Sequence, residues 1–455
     1  MANAGLGARS VTRIGRLLAI WAFLSAMFLV VSASAESKAR IVRLSEVQGP
    51  VQIDRSAGDG FDKAFINLPV IEGARVKTGQ DGRAEVEFED GSALRLAPDS
   101  EVAFTHLALG DDGQKLSTVQ LVSGTVYVNL HPKKAGGKLA RQTGDQFLLN
   151  FAGDSITVSE PAHFRVELSG ENKVTIAVFK GELSAITPSG QFDLAEKHSA
   201  TIHLTKDGLA QDDSAQKDTF VIAKRYEQEP SDDWDRQQNE YHDRYASTGG
   251  SSISSPYSYG MSDLNYYGNF MSVPGYGNVW QPYLIGANWN PFQDGGWAFY
   301  PGAGYMFVSG YPWGWMPYNY GNWAFAPGFG WVWQPGGWGA WNGIPRVVNS
   351  PVAVRVPAAP ASGHLTVMVG RGLAANPASG APHRLTINPG SAGFGVPRGS
   401  VNHLDRVSKT VDRTSRPITV ATTPPASSAP DSGVAAPTTA AGRPSAGTSR
   451  RSRPF

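Results

Sequence analysis

Apolar and polar residues alternate one by one through much of the stretch 41–205, and no other feature restricts the possible folds as strongly. A period of two places successive side chains on opposite faces of a β-strand. In residues 84–89 the apolar side chains share one face and the glutamates the other, and Asp90-Gly91 follows as a hairpin signal. Turn signals recur about every 8–12 residues, which is typical of a sandwich, roll or solenoid-like β-domain.

The three glutamates of that strand are the first candidates for chemistry. Glu85, Glu87 and Glu89 would stand about 6.6 Å apart along one strand face, with no base or glycine loop nearby in the sequence. We therefore expect them to be solvated charges. His198 and His203 would point to opposite faces of a strand, which argues against a shared zinc ion.

The chain offers no further reactive constellation. It has no cysteine, which excludes disulfides, thiolate metal sites and cysteine nucleophiles. Neither a nucleophile elbow, a phosphate loop nor a dinucleotide fingerprint occurs. The sequence predicts a protein that is not an enzyme, with no catalytic residue, no metal site and no cofactor.

Several blocks of the first region carry a family resemblance. The stretch 43–205 resembles the FecR-type periplasmic domain, which implies an all-β, non-enzymatic module. Regulators of that family control a sigma factor through a cytoplasmic N-terminal segment. The blocks that carry the resemblance are 72–79, 82–88, 90–92, 94–98 with Ser100, 121–128 and 178–183.

The N-terminus has the layout of a secretory signal peptide. Arg9, Arg13 and Arg16 precede an apolar run at 17–31, and small residues end at Ala35. The run is short for a bilayer span, which needs about 20 residues. We expect residues 1–35 to be cleaved near Ala35 and the protein to be secreted to the periplasm or cell envelope. An uncleaved anchor is the alternative.

A polar, acidic linker is predicted over 206–255, with a short helix near 231–246. Acidic residues open the helix, and Trp234, Tyr241 and Tyr245 recur at spacings of seven and four. This stripe indicates a face that docks on a neighbouring domain.

Residues 256–345 form a second, aromatic-rich region. Between Arg244 and Arg346 only Asp263 and Asp294 are charged, yet ten of the twelve tryptophans lie here. Pro-Gly pairs at Pro274, Pro301 and Pro327 mark a repeat of 26–27 residues. Each copy reads as strand, Pro-Gly turn, strand, with a bulge or longer loop, because Pro and then Gly favour a type II turn. The repeats predict a compact β-domain of stacked hairpins.

The run 313–323 carries a second resemblance, to an uncharacterised Trp/Tyr/Gly-rich repeat family of exported bacterial proteins. The match extends over about 231–345 and implies a pairing with FecR-like domains, but no activity. The aromatic rings are either core or a binding surface that stacks on sugars or anchors a protein partner. The candidate ligand-binding residues are Trp313, Trp315, Tyr318, Tyr320, Trp323, Trp331 and Trp333.

Residues 346–455 predict a disordered basic tail. They are rich in Pro, Ala, Ser and Thr, and they hold 13 Arg or Lys against three Asp. The tail is either a solvated linker or a peripheral contact with an anionic envelope surface. Nucleic acid is excluded as a partner because no Lys or Arg interleaves with the aromatic residues.

The sequence as a whole predicts an all-β protein with two β-domains and a disordered C-terminal tail. Its predicted function is that of a non-enzymatic envelope protein whose aromatic domain binds an envelope polysaccharide or a protein partner. The alternative is a regulatory sensor of the FecR signalling type, linked to sigma-factor control.

Overall fold

The computed structural model describes most of the two β-regions and part of the C-terminal tail. The predicted signal peptide lies outside the described residues. These are 40–111, 113–130, 133–135, 138–140, 145–158, 160–170, 173–187, 190–203, 219–246, 255–338, 341–358 and 384–422.

The alternating stretch folds into strands, as the sequence predicts. The described strands of this first region are β1 Val42–Gln48, β2 Val51–Asp54, β3 Phe61–Lys63, β4 Pro69–Val70, β5 Arg75–Thr78, β6 Arg83–Glu87, β7 Ala93–Leu96, β8 Glu101–Leu109, β9 Lys115–Asn129, β10 Lys133–Ala135, β11 Lys138–Ala140, β12 Gln146–Phe151, β13 Asp154–Val158, β14 His163–Ser169, β15 Lys173–Lys180, β16 Glu182–Thr187, β17 Gly190–Ala195, β18 Ser199–His203 and β19 Thr219–Ala223.

Two sheets that share β9 enclose one core of aliphatic and phenylalanine side chains. The first sheet runs β3-β2-β5-β8-β9-β12-β13-β16-β17. The second runs β4-β1-β6-β7-β9-β14-β15-β18-β19. All these pairings are antiparallel except β9 with β12. The strand β19 lies in the predicted linker 206–255, so the first region extends beyond residue 205.

A single glycine lets β9 pass from one sheet to the other. Its first half pairs with β8 and β12, and its second half, from Gly124 onward, pairs with β14 and β7. Gly124 has φ +79°, and a Cβ there would lie 2.5 Å from the Asp99 carbonyl oxygen. Only glycine fits this crossing without strain. From alternation alone the sequence predicts two separate strands here, at 116–121 and 125–129, where the structure has one.

The predicted helix and the aromatic region follow. Helix α1 confirms the helix expected near 231–246, and Trp234 and Tyr241 are buried on its docking face. The remaining elements up to residue 348 are α1 Asp232–Ala246, α2 Met261–Tyr267, β20 Gly268–Val273, β21 Gly277–Pro282, β22 Gly295–Tyr300, β23 Gly304–Ser309, α3 Met316–Asn319, β24 Asn322–Ala326, β25 Gly330–Gln334 and β26 Val347–Val348.

The three repeats form three hairpins with the same turn. In each, the second turn residue is a glycine with φ +80°: Gly275, Gly302 and Gly328. A backbone hydrogen bond of 3.0–3.1 Å closes each turn, for example from Tyr276 N–H to the Val273 carbonyl. The loops have three residues, and the strand after each loop begins with a further glycine of positive φ, such as Gly277. Pro-Gly turns with a longer loop are therefore confirmed.

The hairpins do not stack evenly. The outer two, β20–β21 and β24–β25, join in one sheet in which Trp280 pairs with Trp333. The middle hairpin β22–β23 stays apart from that sheet and lies against the first region. There Ala298, Tyr300, Met306 and Val308 enter the first region's core, and the Tyr300 hydroxyl donates to the Pro69 carbonyl oxygen at 2.8 Å. The two regions thus share a core.

Part of the predicted disordered tail is ordered. Residues 384–422 form β27 Arg384–Ile387, α4 Leu404–Thr414 and β28 Ile418–Ala421, with β27 and β28 paired. The expectation of disorder over 346–455 is therefore wrong for this segment. Its composition is poor in apolar residues, but the few it has, such as Ile387, Leu404 and Val411, are buried against the aromatic core.

Candidate functional site

All seven aromatic residues singled out in the sequence lie inside the second region. Trp313, Trp315, Trp323 and Trp333 are 0% exposed, and the other three at most 3%. They cluster: Trp313 stacks on Tyr318 at 6.0 Å, and the Trp333 indole donates to the Tyr320 carbonyl oxygen at 2.8 Å. A segment with almost no charge has to bury its rings to form a core. The structure thus brings the seven residues together in a core, where none of their side chains is more than 3% exposed.

The residues Trp313 and Trp315 also differ from expectation in their backbone. The alternation of aromatic and other residues along 313–315 predicts a strand that presents both rings on one face. They lie instead in a turn just before α3, in which the Gly314 N–H donates to the Tyr311 carbonyl oxygen at 2.9 Å. Both indoles point into the core despite the irregular backbone.

The prediction of a solvated glutamate face on β6 is wrong. Glu85 is 0%, Glu87 2% and Glu89 7% exposed. The outer face of β6 does not meet water, because α1, α2 and the segment around residue 398 cover the sheet at this strand. The sequence could not reveal a cover that comes from elsewhere in the chain.

Each of these buried glutamates faces a guanidinium of the first region. Arg95 Nε donates to Glu85 at 2.7 Å, and Arg43 Nη1 donates to Glu87 at 3.1 Å. At the edge of the cluster, Arg40 binds Glu89 through two hydrogen bonds of 2.7 and 2.8 Å. Such bidentate, charge-assisted bonds are what buried carboxylates require.

Helix α1 contributes acids from its first turn. Asp235 accepts from Arg95 Nη1 at 2.6 Å, and its other oxygen lies 2.6 Å from His163 Nε2. Asp232 accepts from the Tyr127 hydroxyl at 2.8 Å and also binds Arg165. These contacts attach the helix to the second sheet of the first region.

The second region and the C-terminal segment complete the cluster. Asp263 on α2 accepts from Arg43 Nη2 at 2.5 Å and from Arg398 Nε at 3.0 Å. Arg398 Nη1 donates to Glu85 at 2.7 Å and lies 3.3 Å from Glu46. One arginine therefore connects carboxylates from both regions.

The carboxyl groups of the cluster fall into two classes by pKa. Burial opposes the charged form of Glu85, but His242, Arg95 and Arg398 together hold its pKa well below the ordinary value. The pKa of Asp263 is lowered in the same way, because Arg398 and Arg43 outweigh its burial. Burial instead raises the pKa of Glu46 and of Glu87, for which the nearest arginine compensates only in part.

This cluster was missed in the sequence, although two signals point to it. Asp263 is one of only two charges in a long uncharged stretch, and Arg398 is the one charge in a run of Gly, Val, Pro and Ser. An isolated charge among apolar residues needs a partner if it is buried. Which partner it finds depends on the tertiary fold.

We call this cluster the junction, because its ion pairs join the first region, helix α1, the second region and the C-terminal segment. Its main members are Arg43, Glu46, Glu85, Glu87, Arg95, Asp263 and Arg398. Its ionisable groups are buried in mutual ion pairs, where no substrate would reach them. Among the described residues, no group of three or more His, Asp or Glu is placed to hold a metal ion. The described helices include none that is both long and apolar enough to cross a membrane.

Comparisons with known proteins agree with this division of the chain. The family FecR protein matches residues 74–184, and the Family of unknown function (DUF6600) matches residues 261–358. No curated protein matches the chain significantly.

Among solved structures, two of a putative anti-sigma factor from Parabacteroides distasonis are similar at 15% and 14% identity. Both have a TM-score of 0.27. The first match covers 35% of this chain and 63% of the other, and the second covers 37% and 71%. This chain thus spans less than two thirds of the first structure's length. The protein carries a FecR domain at residues 74–184, followed by a DUF6600 domain at 261–358 that holds the aromatic cluster.

Proposed function

We propose that this chain is a non-catalytic regulatory protein of the cell envelope, of the FecR signalling type, which acts on sigma-factor control by binding a protein partner. The FecR domain at residues 74–184 is the observation that carries the proposal. The N-terminal apolar run at 17–31 supports the envelope location. Signalling of the FecR type through a cytoplasmic segment requires this run to stay uncleaved, which is the alternative to the expected cleavage near Ala35. Envelope polysaccharide binding is less supported, since the seven aromatic residues proposed for it are buried.

The shared core supports a relay between the two regions. The middle hairpin inserts Tyr300 and Met306 into the first region's core, and Arg43 joins Glu87 of β6 to Asp263 of α2. Regions connected in this way move together, because packed cores and buried ion pairs switch between discrete arrangements and do not deform continuously. A partner that binds one region would thereby be sensed by the other.

The open edge of the second sheet is the surface we assign to the partner. Strand β19 pairs with β18 and, among the described residues, with no other strand. Phe220, Val221 and Ile222 are 36%, 61% and 44% exposed in succession. An edge strand offers unpaired main-chain donors and acceptors, so the occupant would be an extended apolar strand of the partner, added to the sheet.

Gene deletion and complementation test this function. We expect deletion to change transcripts that depend on one sigma factor, and the wild-type gene to restore them. Val221→Lys should fail to restore them, because a charge on the edge blocks strand addition. Val122→Lys is the matched control, since Val122 is 42% exposed within β9, which has neighbours on both sides. A deletion that leaves every sigma-factor regulon unchanged would refute the regulatory role.

A further inference from the structure

Residues 384–422 lie beyond both regions that match known families, yet they are packed onto the junction. Between β27 and α4 the chain runs without regular secondary structure from 388 to 403. It is joined to the second region through residues 359–383, which lie outside the described residues. The contacts of 391–401 resemble those of a bound peptide more than those of a packed secondary-structure element.

Side chains and backbone of the second region bind the main chain of this segment. The Trp313 indole donates to the Ala392 carbonyl oxygen at 2.7 Å, and the Ala392 N–H donates to the Leu284 carbonyl oxygen at 3.0 Å. Further along, the Tyr267 hydroxyl donates to the Val396 carbonyl oxygen at 2.8 Å. The Val401 N–H donates to the Tyr266 hydroxyl oxygen at 3.0 Å, and that hydroxyl donates to the Val401 carbonyl oxygen at 3.1 Å. Main-chain hydrogen bonds of this kind supply affinity in peptide recognition.

One charged side chain anchors the segment. The Arg398 side chain is 4% exposed and reaches a socket of three carboxylates: Glu46, Glu85 and Asp263. Its Nη2 also donates to the Ser45 carbonyl oxygen at 3.0 Å, and the guanidinium lies 5.1 Å from the Tyr241 ring centroid. Planar, multidentate binding to carboxylates and an aromatic face is specific to arginine.

Two glycines let the segment approach the groove closely. Gly393 has φ +84°, and a Cβ there would lie 2.8 Å from Tyr267 Cδ1. Gly399, next to the anchor, has φ +66°, and a Cβ would lie 3.2 Å from Tyr241 Cδ2. Both positions therefore select glycine on backbone conformation and on space.

We propose that residues 391–401 are an intramolecular peptide ligand of a groove at the junction, with Arg398 as the anchor. The groove recognises the pattern Gly-Phe-Gly-Val-Pro-Arg-Gly through main-chain hydrogen bonds, two close glycines and the acidic socket. Because the socket takes Glu46 and Glu85 from one region and Asp263 from the other, the bound segment latches the two regions together. This inference goes beyond the regulatory role and does not depend on it.

Cutting the connection tests whether the segment binds as a ligand. A protease recognition sequence is inserted after Ala375 in the full chain, and the purified protein is cleaved there. We expect the fragment that contains 384–422 to co-elute with the body in size-exclusion chromatography. An excess of a labelled synthetic peptide covering residues 386–403 should then exchange into the groove. Circular dichroism and tryptophan fluorescence report whether the body stays folded.

Variants identify the anchor. Arg398→Gln in the labelled peptide should weaken its binding on the order of 100-fold, because a buried charge pair loses one partner. The same Arg398→Gln change in the retained fragment should lower its retention by the body. Arg406→Gln in that fragment is the matched control, since Arg406 is exposed on α4, and it should leave retention unchanged.

Three results would overturn the proposal. The wild-type fragment could separate readily from a folded body. The Arg398→Gln peptide could bind as tightly as wild type. The body could unfold when the fragment leaves, which would make the segment part of the core and not a ligand.

Discussion

The two β-regions exclude water in different ways. The first encloses aliphatic and phenylalanine side chains between two sheets, and none of the fully buried residues described in this core is a tryptophan. The second has little sheet and fills its core with indole and phenol rings, several of which donate to backbone carbonyls, as Trp280 does to Leu264 at 3.0 Å. Aliphatic cores depend on shape alone, whereas aromatic cores also depend on the polar tips of their rings.

Neither region is complete at the junction. The first buries Arg43 and Glu85 on a face that helix α1, the second region and the C-terminal segment cover. The second buries Asp263, whose guanidinium partners come from outside it. The two regions therefore are not independent domains, although their cores differ in type. Each region buries charged side chains whose ion-pair partners lie outside that region.

Removing the charge of Asp263 should have the largest effect. Asp263→Asn leaves Arg43 and Arg398 buried without full charge partners, and we expect the free energy of unfolding to fall by about 3–5 kcal/mol. Urea unfolding followed by tryptophan fluorescence measures this change.

The control for this variant is Asp294→Asn, at the other charged position of the aromatic region. Asp294 is half-buried and accepts a hydrogen bond from the Tyr311 hydroxyl at 2.9 Å. Its loss should cost about 1 kcal/mol. Equal losses for the two variants would contradict the role given to the junction.

Two tryptophan substitutions should have effects of intermediate size on the free energy of unfolding. Comparing them separates the contribution of ring volume from that of the indole hydrogen bond. Trp333 and Trp323 are both 0% exposed, but the Trp333 indole N–H is bonded to Tyr320, whereas that of Trp323 has no hydrogen-bond partner. Replacing either by Phe removes similar volume. We expect Trp333→Phe to cost about 1–3 kcal/mol more, because it leaves a buried carbonyl unsatisfied. Thermal or urea unfolding of the two variants compares them, and equal costs would mean that volume alone governs this core.

Local patterns predicted much of the fold. The Pro-Gly repeats fixed three hairpins because a type II turn needs only neighbouring residues, and helix α1 followed from its acidic start and aromatic stripe. The FecR-like strands followed from alternation. The crossing of β9 at Gly124 did not, since it depends on contact with Asp99.

The junction could not be predicted because its partners are far apart in sequence. Glu85 and Arg398 are separated by 313 positions, and Arg43 and Asp263 by 220. Alternation correctly places Glu85 on the outer face of the sheet. It does not show which parts of the chain cover that face. The seven aromatic residues are close together in the sequence and lie in one cluster in the structure. Their burial depends on the fold of the whole second region.

The two pKa classes predict opposite pH effects within the junction. Glu46 has a raised pKa in the folded protein, so its contribution to stability is full below its unfolded pKa of 4.5 and is lost as pH rises through the folded value. Glu85 has a lowered pKa, so its contribution is present above 4.5 and is lost as pH falls below that value.

Substitution by glutamine separates these effects. Glu46→Gln mimics the protonated carboxyl. Compared with the wild type, we expect it to have a higher free energy of unfolding at neutral pH and a smaller difference at acid pH. Glu85→Gln should lower stability at neutral pH and have less effect at acid pH. Urea unfolding from about pH 2.5 to pH 8 measures both, because the Glu85 contribution is lost only below its unfolded pKa. Parallel profiles for the two variants would refute the assignment.

The smallest effect should come from an ion pair outside the junction. Arg236 lies on the exposed side of α1, where it bonds Glu240 at 2.7 Å and Asp233 at 3.1 Å, with 57% of its side chain exposed. Exposed pairs of this helical spacing contribute about 0.3–0.5 kcal/mol, because water and salt screen them. Arg236→Ala should therefore change the free energy of unfolding little, and high salt should abolish the change. Because the same helix presents Asp235 to the buried Arg95, a large effect at Arg236 would mean that burial is not what distinguishes the junction from the surface.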